Sequence, residues 1–166
     1  MNVLRFRLFR ACAALLMALL PVTTAFAAKP EVFTIHEEGS FEIDCGSFVA
    51  VEEFEQDIRV TTFFNDAGDP VRVQVHFNYS GVITNPVTGN SFRDPGHFTL
   101  IQDLEAGTQA FVGVVFAITV PGEGIAVRDA GRLVFLGEGL PENVIFEGGS
   151  HQTLYEGQAV ICAALD

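Results

Sequence analysis

Four histidines, His36, His76, His97 and His151, are the side chains of this 166-residue sequence best suited to carry a proton near neutral pH. None stands in an H-x-H or H-E-x-x-H pattern or beside a cysteine, so the sequence predicts no metal site and no cofactor. His76 is the most informative of the four. It shares a period-two face with Arg72, Gln74 and Asn78, which on a strand stand about 6–7 Å apart. Turned inward, that stripe would hold a small molecule with an acidic or carbonyl group, His76 carrying the proton and Arg72 anchoring the anion. Turned outward, it is solvated surface, the commoner placement when Val71, Val73, Val75, Phe77 and Tyr79 claim the other side. His36 precedes Glu37-Glu38 at a strand end, and His151 follows Gly148-Gly149-Ser150 in what reads as a loop.

The remaining charged groups are less specific. Arg128, Asp129 and Arg132 surround Gly131 and form either a rim for an anion or a turn held by a local Asp–Arg pair. The run Glu52-Glu53-Phe54-Glu55-Gln56-Asp57, and Asp66 with Asp69, could gather calcium but lack the D-x-[DN]-x-[DN]-G…E order. G-x-S-x-G is absent, and Ser47 after Cys45-Gly46 lacks the second glycine. Asn78-Tyr79-Ser80 is a formal glycosylation sequon in mid-strand. Spacing singles out no triad or carboxylate pair, so no catalytic residue is assigned.

The elements that must position these groups begin after a leader. Arg5, Arg7 and Arg10 precede an uncharged run from Ala11 to Leu20, and Ala25-Phe26-Ala27 supplies the small-residue pattern of a cleavage site. Residues 1–27 thus read as a signal peptide cut near Ala27, and residues 28–166 as one exported domain, secreted or periplasmic. The run is about half the length a spanning helix needs, so no stable membrane insertion is expected. The whole chain has 21 acidic and 9 basic residues, net −12. Without the three leader arginines 6 basic residues remain and the net is −15. Such a charge speaks against nucleic-acid partners. Two cysteines remain, Cys45 and Cys162, and in an oxidising compartment they should pair across a loop of more than 100 residues.

No segment shows a helical period, and Gln158 to Leu165 reads as the last strand. Alternation marks Val71 to Ser80; β-branched and aromatic content marks Asp57 to Phe64, His97 to Leu104 and Arg132 to Leu136. Asn65 to Pro70, Asn85 to Asn90, Asp94-Pro95-Gly96, Pro121 to Gly124 and Asp129-Ala130-Gly131 read as turns or breaks. Thr108 to Val120 is apolar on both faces, with Phe111 on one and Phe116 on the other, so it is covered on both or lines an apolar cavity. These features predict an all-β domain: a single antiparallel β-barrel of about eight strands, with a β-sandwich as the alternative.

Asn85-Pro86-Val87-Thr88-Gly89-Asn90, Pro95-Gly96-His97-Phe98-Thr99 and the stretch Ile125 to Phe135, with the leader and the two cysteines, resemble exported bacterial β-rich proteins of unassigned activity. In architecture these are similar to barrels of the allene oxide cyclase and dirigent type. The resemblance implies a fold and brings no catalytic residue. The leading functional expectation is a non-enzymatic protein that binds a small, largely apolar molecule, with Arg72, His76, Asn78, Phe111 and Phe116 as candidate ligand contacts. A cyclase- or isomerase-like enzyme with polar groups inside the barrel is the second expectation. An envelope-associated structural or adhesive module is the third.

Overall fold

The computed structural model describes residues 28–120 and 124–166. The leader and cleavage site expected within residues 1–27, and all but the last residue of the turn expected at Pro121 to Gly124, lie outside the described residues. Seven strands follow one another in chain order in one antiparallel sheet: β1 (Glu31–Asp44), β2 (Val49–Phe64), β3 (Pro70–Thr84), β4 (Ser91–Asp103), β5 (Thr108–Val120), β6 (Gly124–Leu136) and β7 (Val144–His151). A 3-10 turn at Pro141–Asn143 precedes β7, and two short helices, α1 (Gln152–Glu156) and α2 (Ala159–Leu165), follow it.

The all-β expectation holds, but the closed eight-stranded barrel does not. Among the described residues β1 pairs with β2 alone and β7 with β6 alone, so the sheet keeps two edges. A second sheet, as in a sandwich, is absent from them as well. The strands are fewer because they are longer. Asp94-Pro95-Gly96 and Asp129-Ala130-Gly131, expected as breaks, lie inside β4 and β6. Pro95 is tolerated because the β4–β5 ladder ends at His97–Val114, and beyond it no β5 partner needs its missing N–H.

Gln158 to Leu165 is the second correction, since its last seven residues are helix α2. A short apolar run fits a strand and a helix equally well, and tertiary packing arbitrates. Here Ile161 and Leu165, four apart, both turn onto the sheet and are buried. With Ile43, Ala50, Ile83, Phe92, Ile118 and Val127 they form the main core. Asn85 and Asn90 donate side-chain hydrogen bonds to the Leu165 carbonyl, at 3.3 and 3.4 Å, which fixes the end of α2.

The disulfide expected from the sequence is present. Cys45, in the turn after β1, is bonded to Cys162 on α2 across 117 residues of chain. On a chain-entropy argument such a loop contributes about 4–5 kcal/mol. Among the described residues no helix is long and apolar enough to cross a membrane.

Cross-strand register divides the sheet into two faces. Ile43, Ala50, Ile58, Phe77, Ile83, Phe98, Phe111 and Leu133 share the face that α1 and α2 cover in part. Arg59, Arg72, His76, Asn78, His97 and Arg132 share the other.

Candidate functional site

The residues expected to contact a ligand separate onto the two faces. Arg72 is exposed, its guanidinium 4.3 Å from the Phe63 ring centroid, and Asn78, six residues further along the same strand face, is exposed as well. His76 is half-buried on the same face, its Nδ1 2.9 Å from Thr99 Oγ1 and its ring edge-on to His97. This is the outward placement, and it removes the enclosed polar stripe on which a proton-transfer role for His76 depends. Phe111 and Phe116, by contrast, both lie on the core face and both line cavities.

Strict alternation places those two phenylalanines on opposite faces. A register shift between Val114 and Phe116 overrides it: Phe111 stands opposite Leu133, and Phe116 opposite Asp129. The extra residue, Val115, bends the strand as β-bulges do, and it too lines a cavity. One inserted residue therefore sends Phe111, Val115 and Phe116 to the same side.

The first cavity, about 180 Å3, sits between α1 and strands β5 and β6. Its walls are Phe111, Val115, Leu133, Phe135 and Leu154, with Asp129, His151 and Thr153 at its polar end. Its floor exists because side chains are missing. Gly113, Gly131 and Gly149 stand in register across β5, β6 and β7, each with positive φ. A Cβ on any of them would overlap backbone of the neighbouring strand. Only glycine permits that close approach. Asp129 is buried but fully engaged: the Thr153 N–H donates to its Oδ1 at 3.1 Å and the Thr153 hydroxyl donates to its Oδ2. It pins the first turn of α1 to β6, so the expected Asp129–Arg pair is replaced by this contact. His151, expected in a loop, ends β7 and is buried opposite Asp129.

The second cavity, about 200 Å3, lies between β1, β2, β5 and the two helices, and Thr153 borders both cavities. Phe41, Ile43, Phe116 and Ile161 are its apolar walls, and among the described residues Glu52 is its one ionisable group. The sequence shows Glu52 only as the first residue of an acidic run that could gather calcium. Alternation through Ala50, Glu52, Phe54 and Ile58 turns it inward instead, and it is 1% exposed. The Tyr79 hydroxyl donates to Glu52 Oε1. Glu52 also fills the space beside Gly81 that a side chain there would occupy, and Asp94 stands directly opposite Gly81 on β4.

Asp94 is fully buried, and neither carboxyl oxygen has a hydrogen-bond partner among the described residues. Burial, with the nearby Glu52 charge second, pushes its pKa up to about 7, against a weaker pull from the Ala117 backbone. Burial likewise raises Glu52, although the Tyr79 hydrogen bond opposes it. Tyr79 is raised by burial and by Glu52. Neither carboxyl was legible as functional, since Asp94 sits in a turn-like Asp-Pro-Gly and Glu52 in a charged run.

A larger cleft of about 530 Å3 opens where β4 and β5 part, but Val82, Ser91, Arg93 and Pro95 around it are exposed, which makes it a surface groove. Among the described residues no group of three or more acidic, histidine or cysteine side chains could hold a metal ion. No protein-family model matches the chain. No curated protein and no solved structure matches it either.

Proposed function

We propose that the protein is an exported, secreted or periplasmic β-sheet protein that binds a small, largely apolar molecule under α1. The leader-like residues 1–27 and the Cys45–Cys162 disulfide support the compartment. One observation carries the ligand: an apolar cavity of about 180 Å3, floored by glycines and closed at one end by Asp129, His151 and Thr153. A dry cavity of about 150 Å3 accommodates benzene, so this one suits a single ring or a short branched chain.

The test is titration of the exported protein with toluene and indole, read by melting temperature and by methyl NMR of Leu133 and Leu154. Binding should raise the melting temperature and shift those methyls, and Leu154→Trp, which fills the space, should abolish both effects. No response at millimolar ligand overturns the reading.

A structural or adhesive role is favoured by a different feature. Phe33, Ile35 and Phe41 are exposed along the open edge strand β1. An unpaired edge with apolar side chains is a surface for association. Light scattering decides it: self-association at micromolar concentration supports this role, and a monomer removes it.

A further inference from the structure

The second cavity differs from the first in its chemistry, and the difference specifies a ligand. Its walls are aromatic and aliphatic, from Phe41, Phe116, Ile43 and Ile161, with Thr153 and Gln158 as neutral polar groups at the helix side, and among the described residues it contains no basic side chain. Its single ionisable group, Glu52, is buried, and among the described residues Tyr79 is its only hydrogen-bond partner. A carboxylate offers about four acceptor positions, so one donor leaves most of them open. Behind it, across Gly81, the Asp94 carboxyl is fully buried and has no partner among those residues. Glu52 alone of these two carboxyls lines the chamber, and Asp94 stands behind it across Gly81, so a charge on Glu52 meets only the Tyr79 hydroxyl among the described residues.

We propose that this cavity is a binding site for small apolar primary amines, with the ammonium on Glu52 and the hydrocarbon body between Phe41 and Phe116. An ammonium brings three donors and a positive charge, which satisfy the open acceptor positions of Glu52. Phenyl rings attract a desolvated cation through their faces. A neutral hydrocarbon of the same size would leave the carboxylate uncompensated, and an anion would be repelled. A bare divalent ion is disfavoured by the walls, and no group of three or more candidate ligands is present among the described residues. The net charge of −12 raises the local concentration of cations of any kind. The volume, about 200 Å3, suits a body the size of one ring. This site shares Thr153 with the cavity under α1 but has its own walls, and its occupancy does not depend on that cavity binding anything.

The probe set is benzylamine, benzyl alcohol, toluene and benzoate, titrated into the exported protein at neutral pH by calorimetry. Benzylamine should bind at least ten-fold more tightly than benzyl alcohol, and benzoate should not compete. Glu52→Gln should reduce benzylamine affinity at least ten-fold, to the level of the alcohol. Glu53→Gln, which removes the same charge from the exposed neighbour, should leave it unchanged. Equal affinity for benzylamine and benzyl alcohol overturns the proposal, and so does an equal loss in the Glu52 and Glu53 variants.

Should Glu52→Gln fail to fold, the wild-type protein still decides. The chain has two tyrosines, Tyr79 and Tyr155. With labelled tyrosine, benzylamine should shift the Tyr79 ring resonances and leave Tyr155 in place. A shift confined to Tyr155, or none at saturating amine, overturns the proposal. If toluene shifts the Leu154 methyls while benzylamine leaves Tyr79 unmoved, the reading under α1 stands and this one falls.

Discussion

Asp94 and Asp129 occupy the same face of the same sheet and are both buried, at 0% and 5% exposure, yet their surroundings are opposite. Asp129 receives a backbone N–H and a hydroxyl from Thr153, so its burial fastens α1 to β6. Asp94 has no partner within hydrogen-bond geometry among the described residues, only a weak pull from the Ala117 backbone, and it has Glu52 as a neighbour. The contrast shows that a buried carboxyl can serve as an anchor or as a stored electrostatic cost, and only its donors distinguish the two cases. One cavity lies beside the satisfied acid, and the other is lined by the Glu52 partner of the unsatisfied one.

The largest expected effect tests the unsatisfied side. The Asp94 pKa is about 7 in the folded protein against an ordinary 3.8. Folding therefore favours its protonated form. Stability from this source is complete below about pH 4 and falls as pH rises toward 7, by up to about 4 kcal/mol. Urea unfolding at pH 4.5 and pH 8 should show that loss in the wild type, and Asp94→Asn should reduce it and be the more stable protein at pH 8. Surface repulsion among the acidic groups acts on both proteins, so the difference between their slopes isolates Asp94. Identical slopes would mean that a donor reaches Asp94, and the comparison with Asp129 would break.

The glycine row comes next. Gly131→Ala combines positive φ with overlap on the Gly148 carbonyl and should cost roughly 3 kcal/mol or more in chemical denaturation. Near wild-type stability in the Gly131→Ala protein would show that the strands need not approach so closely. Thr153→Val is the smallest of the three changes and tests the satisfied side. It keeps the shape, removes the hydroxyl donor to Asp129, and should cost about 1.5–3 kcal/mol, with faster amide exchange in α1. No change in either readout would mean that the Asp129 contact is not what holds the helix.

Strand content was legible because period-two alternation survives any tertiary arrangement, and Val71 to Ser80 points its valines and aromatics to the core face as that alternation requires. The candidate site was only half legible. Phe111 and Phe116 were named as contacts, but alternation placed them on opposite faces, and the Val115 bulge that unites them has no local signature. Glu52 was hidden for another reason: its acidic neighbours Glu53 and Glu55 are exposed, and composition averages over residues that face opposite ways. Asp94-Pro95-Gly96 has turn composition, yet it pairs with Gly81, Ser80 and Tyr79 along β4.

By itself the sequence determined a β chain and a bridge between Cys45 and Cys162, because alternation and turn chemistry are properties of short segments and only those two of the three cysteines lie beyond residue 27. Tertiary structure decided that the sheet stays open, that residues 159–165 are helical, and that two carboxyls are buried beside apolar cavities. Those outcomes depend on which surfaces meet across long separations, such as Ile161 and Leu165 against Ile43 and Ile83, or Asp94 against Gly81, and no local pattern encodes such a meeting.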